Sequence, residues 1–439
     1  MNTLQSGFAR CDITPAMGTH LEGYFFERPA TGILDPLYAT AVAFDNGDKR
    51  GILMSVDNIG MSQVLVDRVR TEIAGICNVE EKAIFIACTH THLAPCTDGL
   101  LMNVAELEYV EFLVKKLCDT AHLAMQDLAP TEMYYTNSRV EDVAFIRRYR
   151  MKDGSAKTNP GCQNPDILHP IGEADDISTL IILKREGKPE IGIVHFQVHP
   201  DVIGGDKVSA DYPKFVRDTY ESLIDNSRCI YINGAQGDVN HIDVRLNKHE
   251  DLVNGYERSK YMGKKIAMSV IANYPLAKKI TNTAINYGQT NLCVDYNRGT
   301  PEEEAEAISV YEDYRQNHAT YEAYQACRAR SSMNVPKACR VASVAKVSGQ
   351  KELHVTALSI GNVVFAGFPG EPFTGIGKGI KAQSKFPLTL PVCCANGYEG
   401  YYPMMDAFIE GGYESVTSRY VGGTAEKLIE TSAALVNSL

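Results

Sequence analysis

Short apolar runs rich in isoleucine and valine alternate along the chain with longer stretches whose apolar positions recur at helical spacing. Residues 51–56 read as a buried strand and 62–76 as an amphipathic helix. Residues 83–88 (Ala83-Ile84-Phe85-Ile86-Ala87-Cys88) read as a second strand, with a long helix behind it near 105–126. The rhythm returns as a strand over 191–198, a helix near 213–224 and a strand over 229–232. Strands alternating with helices predict an α/β fold. Further along the pattern changes. Residues 301–330 are polar and helical, opened by Pro301 and three glutamates, as a helix start favours. Residues 352–368 read as paired strands turning at Gly361-Asn362. No internal repeat, low-complexity tract or linker stands out, so one domain with insertions is expected across 1–439.

Composition narrows function more than fold. Hydrophobic residues make up 44% and charged residues 22%, the balance of an ordinary globular protein. A net charge of -11, with no cluster of lysine and arginine, argues against a nucleic-acid partner. No stretch approaches the ~18 apolar residues that span a bilayer. The first residues lack the basic head and apolar run of a signal peptide, so a cytoplasmic location is expected. The 12 cysteines are scattered without a CxxC pair, which suits reduced, buried thiols rather than a disulfide framework.

The chemistry-bearing clusters fall at the carboxyl ends of these strands, where open α/β sheets place their ligands. Thr89-His90-Thr91-His92 follows the strand over 83–88. In an extended segment His90 and His92 point to one face, as two metal ligands or as an acid/base pair. Alternatively they are hydrogen-bonded surface histidines. His195 and His199 close another strand, but four residues of strand rise separate them by about 13 Å, too far for one ion. His199, before Pro200, is the better ligand candidate, and His195 the better core histidine. The turn Asn233 to Asn240 carries Asp238, suited to orienting a histidine or a loop. Glu371, between Gly370 and Pro372, sits on a stiff loop. A last cluster holds Tyr398, Tyr401, Tyr402 and, after two glycines, Tyr413-Glu414.

Taken in order, these segments resemble the catalytic domain of the neutral/alkaline, non-lysosomal ceramidase family. Asp12-Ile13-Thr14-Pro15 is similar to its opening signature, and Gly32-Ile33-Leu34-Asp35-Pro36-Leu37-Tyr38-Ala39 to a second conserved-order segment. Thr-His-Thr-His, the His-Pro strand end, Gly-Asp-Val, Pro-Gly-Glu and the tyrosine pair follow. The resemblance implies an α/β fold with mixed sheets flanked by helices, a single catalytic domain over 1–439 and no immunoglobulin-like C-terminal domain. It further implies Zn2+ held by His90, His199, Glu371 and Tyr401. It gives His92 the acid/base role, and Arg148 and Tyr413 the stabilisation of an oxyanion. The family's serine after Gly-Asp-Val is Asn240 here, which weakens the link to sphingolipid substrates.

The function so implied is a zinc-dependent hydrolase that cleaves an amide or ester bond of a small N-acyl or O-acyl substrate with an activated water. A deacylase of small polar or sugar compounds fits equally. A serine hydrolase is disfavoured, because no Gly-x-Ser-x-Gly elbow is present. A metal- or ligand-binding protein without turnover is the rival from another class, although it would need neither His92 nor the oxyanion groups.

Overall fold

The foreseen strands and helices form, and their pairing follows a plan that the residue pattern does not display. The computed structural model describes residues 3–97, 105–247, 253–316, 320–328 and 333–439. A first unit consists of β1 (Gln5–Asp12), β2 (Tyr38–Asp45), β3 (Arg50–Val56), helix α1 (Gln63–Cys77), β4 (Ile84–Cys88) and helix α2 (Leu107–Gln126). The first three strands pair antiparallel in sequence, and β4 joins β3 in parallel after the α1 crossover. Helix α2 then packs back over β1 and β2.

The same order of elements occurs twice more. The second unit runs β5 (Ala129–Arg139), β6 (Ile177–Arg185), β7 (Glu190–Phe196), α3 (Tyr212–Leu223), β8 (Ser227–Asn233) and α4 (Tyr256–Ala272), with β7 and β8 parallel. The third begins with β9 (Ile285–Val294) and is interrupted by helices α5 (Pro301–Gln316), α6 (Tyr321–Arg328) and α7 (Val335–Ala345). It resumes as β10 (Lys351–Ile360), β11 (Val363–Gly367), α8 (Thr374–Gln383), β12 (Leu388–Val392) and α9 (Thr424–Ser438), with β11 and β12 parallel. The polar helical stretch is thus an insertion. Its residues 317–319 and 329–330 lie outside the described residues.

Units one and two share a 9-stranded sheet in the order β8-β7-β6-β5-β1-β2-β3-β4, with Lys278–Ile280 added beside β5. Unit three forms its own 4-stranded sheet. Strand alternation sends successive side chains to opposite faces, and each unit uses both. On β3, Ile52, Met54 and Val56 face the α1/α2 layer, while Leu53 faces a central cluster. Val42, Phe85, Ile193, Ile230, Phe365 and Leu390 meet Leu53 there, so all three units share one inner core. Each unit also keeps an outer core under its own helices.

Local chemistry sets the element ends. Ser62 caps α1 by accepting from the Leu65 N–H at 3.4 Å, and Asn78 closes it in the left-handed region. At the β10–β11 turn Gly361 has φ 59°, and a Cβ there would lie 2.2 Å from the Asn282 carbonyl oxygen. Only glycine fits that turn. No helix among the described residues is long and apolar enough to cross a membrane.

Candidate metal centre

The fourth strands of the three units come together at their carboxyl ends. Ala87 and Ala395 form a bridge, the Cys393 N–H donates to the Asn233 carbonyl at 3.1 Å, and Asn233 Nδ2 donates to the Thr89 carbonyl at 3.1 Å. The chain after each third strand arrives at the same place. His90 is therefore delivered by unit one, His199 by unit two, and Glu371 and Tyr401 by unit three. Glu371 and Tyr401 are partners in a two-residue parallel ladder, so each fixes the other's position. Gly237 passes close behind, where a Cβ would lie 2.5 Å from the Glu371 carbonyl oxygen.

His90 Nε2 lies 3.2 Å from Glu371 Oε2, and His199 Nε2 lies 3.5 Å from the same oxygen. All three side chains are buried. His90 Nδ1 donates to the Ile59 carbonyl at 2.6 Å, and His199 Nδ1 makes a longer 3.5 Å contact with the Gln236 carbonyl. This orientation turns the Nε2 of each ring toward the carboxylate. Two lone-pair nitrogens around one carboxylate oxygen need a positive charge among them, a proton or a cation. Among the described residues His90 Nε2 has no hydrogen-bond partner, as a ligand atom would not. His90, His92 and His199 also form a group whose ligand atoms all lie within 4.8 Å of one another. The residues present therefore fit a divalent metal, with two imidazoles and a carboxylate as a minimum set and Tyr401 or His92 completing it.

The electrostatics agree. Burial alone would raise the Glu371 carboxyl, but His90, the Tyr398 hydroxyl and Arg147 outweigh it and hold it down at about 2. Burial first, then neighbouring cations, push His92 and His199 well below the usual imidazole value, so both stay neutral near pH 7. Neutral imidazole is the ligand and base form.

The histidine pair does not have the extended geometry expected of it. Thr89 to His92 lies past the end of β4, and His90 has φ 73°, a left-handed conformation that a non-glycine residue adopts at a cost. Its N–H donates to the Asn58 carbonyl at 2.8 Å, which holds the bend. The rings still meet, 5.1 Å apart and nearly perpendicular. Among the described residues both ring nitrogens of His92 lack a hydrogen-bond partner, and Asp201 Oδ1 stands 3.7 Å from its Nδ1. Gly23 packs on that ring so closely that a Cβ would approach its Nδ1 to 2.7 Å.

His195 takes the core place foreseen for it. Its Nε2 donates to the Pro391 carbonyl at 2.7 Å across the inner core, and burial pushes it down to about 4. Asp238 holds neither a histidine nor a loop but the start of α8, accepting from the Thr374 N–H and hydroxyl. Asn240 donates to Asn159 Oδ1 at 2.6 Å beside a small polar cavity that also touches His199.

Arg148 is not brought into the cluster. Its guanidinium donates to the Gly411 carbonyl at 2.9 Å and to Glu410 at 3.3 Å. Its neighbour Arg147 faces the centre instead, with its guanidinium carbon 5.2 Å from the Tyr401 ring centroid. The buried Glu414 accepts from Arg147 Nε at 2.7 Å, and the Gly237 carbonyl accepts from its Nη2 at 2.8 Å. Burial lowers the Arg147 pKa, but Tyr401 and Glu414 outweigh it and the net shift is upward, so it is a fixed cation. Adjacent residues of an extended segment point opposite ways, so only one of the two arginines can serve the site. Tyr413 stands at the rim, 37% exposed, its ring 5.8 Å from Tyr401. Tyr398, to which the sequence assigns no part, donates its hydroxyl to Glu371 Oε1 at 2.6 Å. Its place in a tyrosine-rich segment, three residues before Tyr401, is the one sequence signal for it.

No sequence model of a protein family matches the chain, and no curated protein matches it. Among solved structures it is similar to the neutral ceramidase from Pseudomonas aeruginosa, with a TM-score of 0.77 at 16% identity over 100% of this chain and 74% of that one. It is also similar to a ceramidase complexed with C2, with a TM-score of 0.73 at 15% identity over 100% of this chain and 75% of that one. What this likeness shows is the fold: along its whole length the chain is built as the neutral ceramidases are.

Proposed function

We propose that the protein is a zinc-dependent hydrolase that cleaves an amide or ester bond in a small N-acyl or O-acyl compound. The observation that carries this reading is the buried convergence of His90 Nε2 and His199 Nε2 on Glu371 Oε2, at 3.2 and 3.5 Å. The solved ceramidases with this fold supply the reaction class by analogy. His90, His199 and Glu371 would hold the ion, with Tyr401 as the fourth protein ligand. At such a site a divalent cation supplies Lewis acidity, which polarises a carbonyl and acidifies water.

The chain's own residues supply the rest. His92, neutral and without a partner at either nitrogen among the described residues, lines the large cavity beside the centre and would carry a proton between water and leaving group. Arg147, held by Glu414 and Gly237, is a preorganised donor next to Tyr401 and suits an oxygen that gains negative charge. Tyr413 adds a hydroxyl at the rim of the same cavity. A small polar substrate is favoured over a two-chained lipid by the second cavity, about 230 Å³, where Asn159, Asn240 and His241 offer polar groups.

The test pairs elemental analysis of the purified protein with release of acid from a panel of N-acyl and O-acyl compounds. Stoichiometric zinc with turnover that a chelator abolishes is the expected result. A metal-free preparation that retains full turnover sinks the reading, and bound metal with no turnover across the panel leaves a binding protein instead.

A further inference from the structure

The larger cavity, about 490 Å³, runs from His90, His92 and Glu371 to the insertion in unit three. Its far wall is cationic. Besides Glu371, its charged lining residues are Arg340, Lys346, Arg419 and Glu399. Glu399 is already paired twice, with Arg419 at 3.0 Å and with Lys351 at 2.6 Å. Arg340 has no carboxylate within ion-pair distance among the described residues. It donates instead to the backbone carbonyls of Asn297 and Val416; burial lowers its pKa, and Glu303, which opposes that from a distance, is paired with Lys337 at 3.0 Å. Lys346, the cap residue of α7, likewise stands exposed with no ion-pair partner. Two uncompensated cations thus line one wall of an active-site cavity in a chain whose net charge is -11.

A half-buried guanidinium without a counter-ion is costly, and the cost is relieved when an anion arrives. A local positive field in an otherwise acidic protein also draws anionic ligands and repels cationic ones. We propose that the substrate carries a carboxylate on one side of its scissile bond, and that Arg340 and Lys346 receive it at the wall of the insertion. The proposal rests on the hydrolase reading for the bond that is cut, but the anion site itself does not depend on turnover. It narrows the substrate class to carboxylate-bearing acyl amides, either N-acyl amino acids or monoamides of dicarboxylic acids.

Two matched pairs of probes test it with the full, zinc-loaded chain. N-hexanoylglycine against N-hexanoylglycinamide places the charge on the amine side, read by hexanoate release. N-ethylsuccinamate against N-ethylbutanamide places it on the acyl side, read by ethylamine release. Calorimetric binding of all four compounds accompanies the rates. In one pair the charged member is expected to show about tenfold or greater advantage in kcat/KM and in affinity, the scale of one hydrogen-bonded charge. Lys346→Gln and Arg340→Gln should each bring that ratio toward one, mainly through KM. Equal handling of both members in both pairs overturns the proposal. So does a loss in the variants that falls equally on charged and neutral probes, because that is what a purely structural role gives. Preferential binding of a charged probe without cleavage keeps the anion site and removes the hydrolase reading. Cleavage without charge preference does the reverse.

Discussion

The three units present two kinds of surface to the centre, and they differ in what they contribute. The ends of the third and fourth strands are fixed by the shared inner core and by ladders such as Glu371 with Tyr401. They carry His90, His92, His199, Glu371 and Tyr401. The connections between the first and second strands contribute no residue to that inner core and differ in every unit. Residues 13–37 bring Gly23 and Phe25, residues 140–176 bring Arg147 and Asn159, and residues 295–350 bring Arg340 and Lys346. The repeated frame holds the clustered imidazoles and the carboxylate, while the unrepeated arches hold Arg147 and parts of the cavity walls. Metal retention and substrate handling should therefore be separable by mutation.

The sharpest way to break that division is at the donors. His90→Ala, His199→Ala and Glu371→Ala should each lose the metal on elemental analysis and reduce turnover to background. A variant that lost metal yet kept turnover would end the division and the mechanism with it. Arg147→Ala comes next. It should keep the metal and lower kcat by about 10²–10³, the usual consequence of removing one oxyanion donor. If metal content fell in step with kcat, Arg147 would belong to the frame rather than to an arch.

The frame was legible in the sequence wherever it rests on periodicity. The strands at β3, β4, β7, β8 and β10–β11 and the helices α1, α2 and α3 follow from apolar spacing, and the donors fall where strand ends place ligands. The threefold recurrence was not legible, because what recurs is the order of pairing rather than any residue. One unit is also split by the insertion over α5 to α7. The bend at His90 escaped for a related reason: a φ of 73° at a histidine is imposed by Asn58 and Ile59 from another segment, not by its own neighbours. Arg147 and Arg148 are alike to any reading of residue type. Which of them faces the centre depends on how the segment pairs Ile146 with Val239. Tyr398 sits among Asn396 at φ 53° and Gly397 at φ 154°, in a stretch with no period to read.

Tyr398→Phe probes the support behind a donor rather than the donor itself. It deletes the hydroxyl that donates to Glu371 Oε1 and leaves the ring beside His90 in place, with centroids 5.7 Å apart. Loss of such a supporting bond weakens metal binding by about 10–100-fold. Competition against a chelator of known affinity should show that loss, with near-normal turnover once zinc is in excess. A variant that cannot be rescued by zinc would mean that the phenol acts on the substrate.

The smallest effect on rate is expected at Arg148, and for that reason it is the most informative control. Arg148→Ala removes a side chain that is 4% exposed and holds Gly411 and Glu410, which flank the short helix carrying Tyr413. Arg150 still donates to Glu410, but leaving the Gly411 carbonyl without its donor should cost about 1–3 kcal/mol of stability, visible as a lower urea midpoint. Metal content should be unchanged and kcat should stay within about threefold, since a 1.4 kcal/mol change in barrier would already give tenfold. One position along the strand, the same substitution is expected to spare stability less than it spares metal and to remove most of the rate. If instead Arg148→Ala matched the kcat loss of Arg147→Ala, either both arginines would reach the substrate or the Gly411–Tyr413 segment would transmit the change. Arg148→Lys, which restores a donor to Gly411 without a guanidinium, would then recover the rate only in the second case.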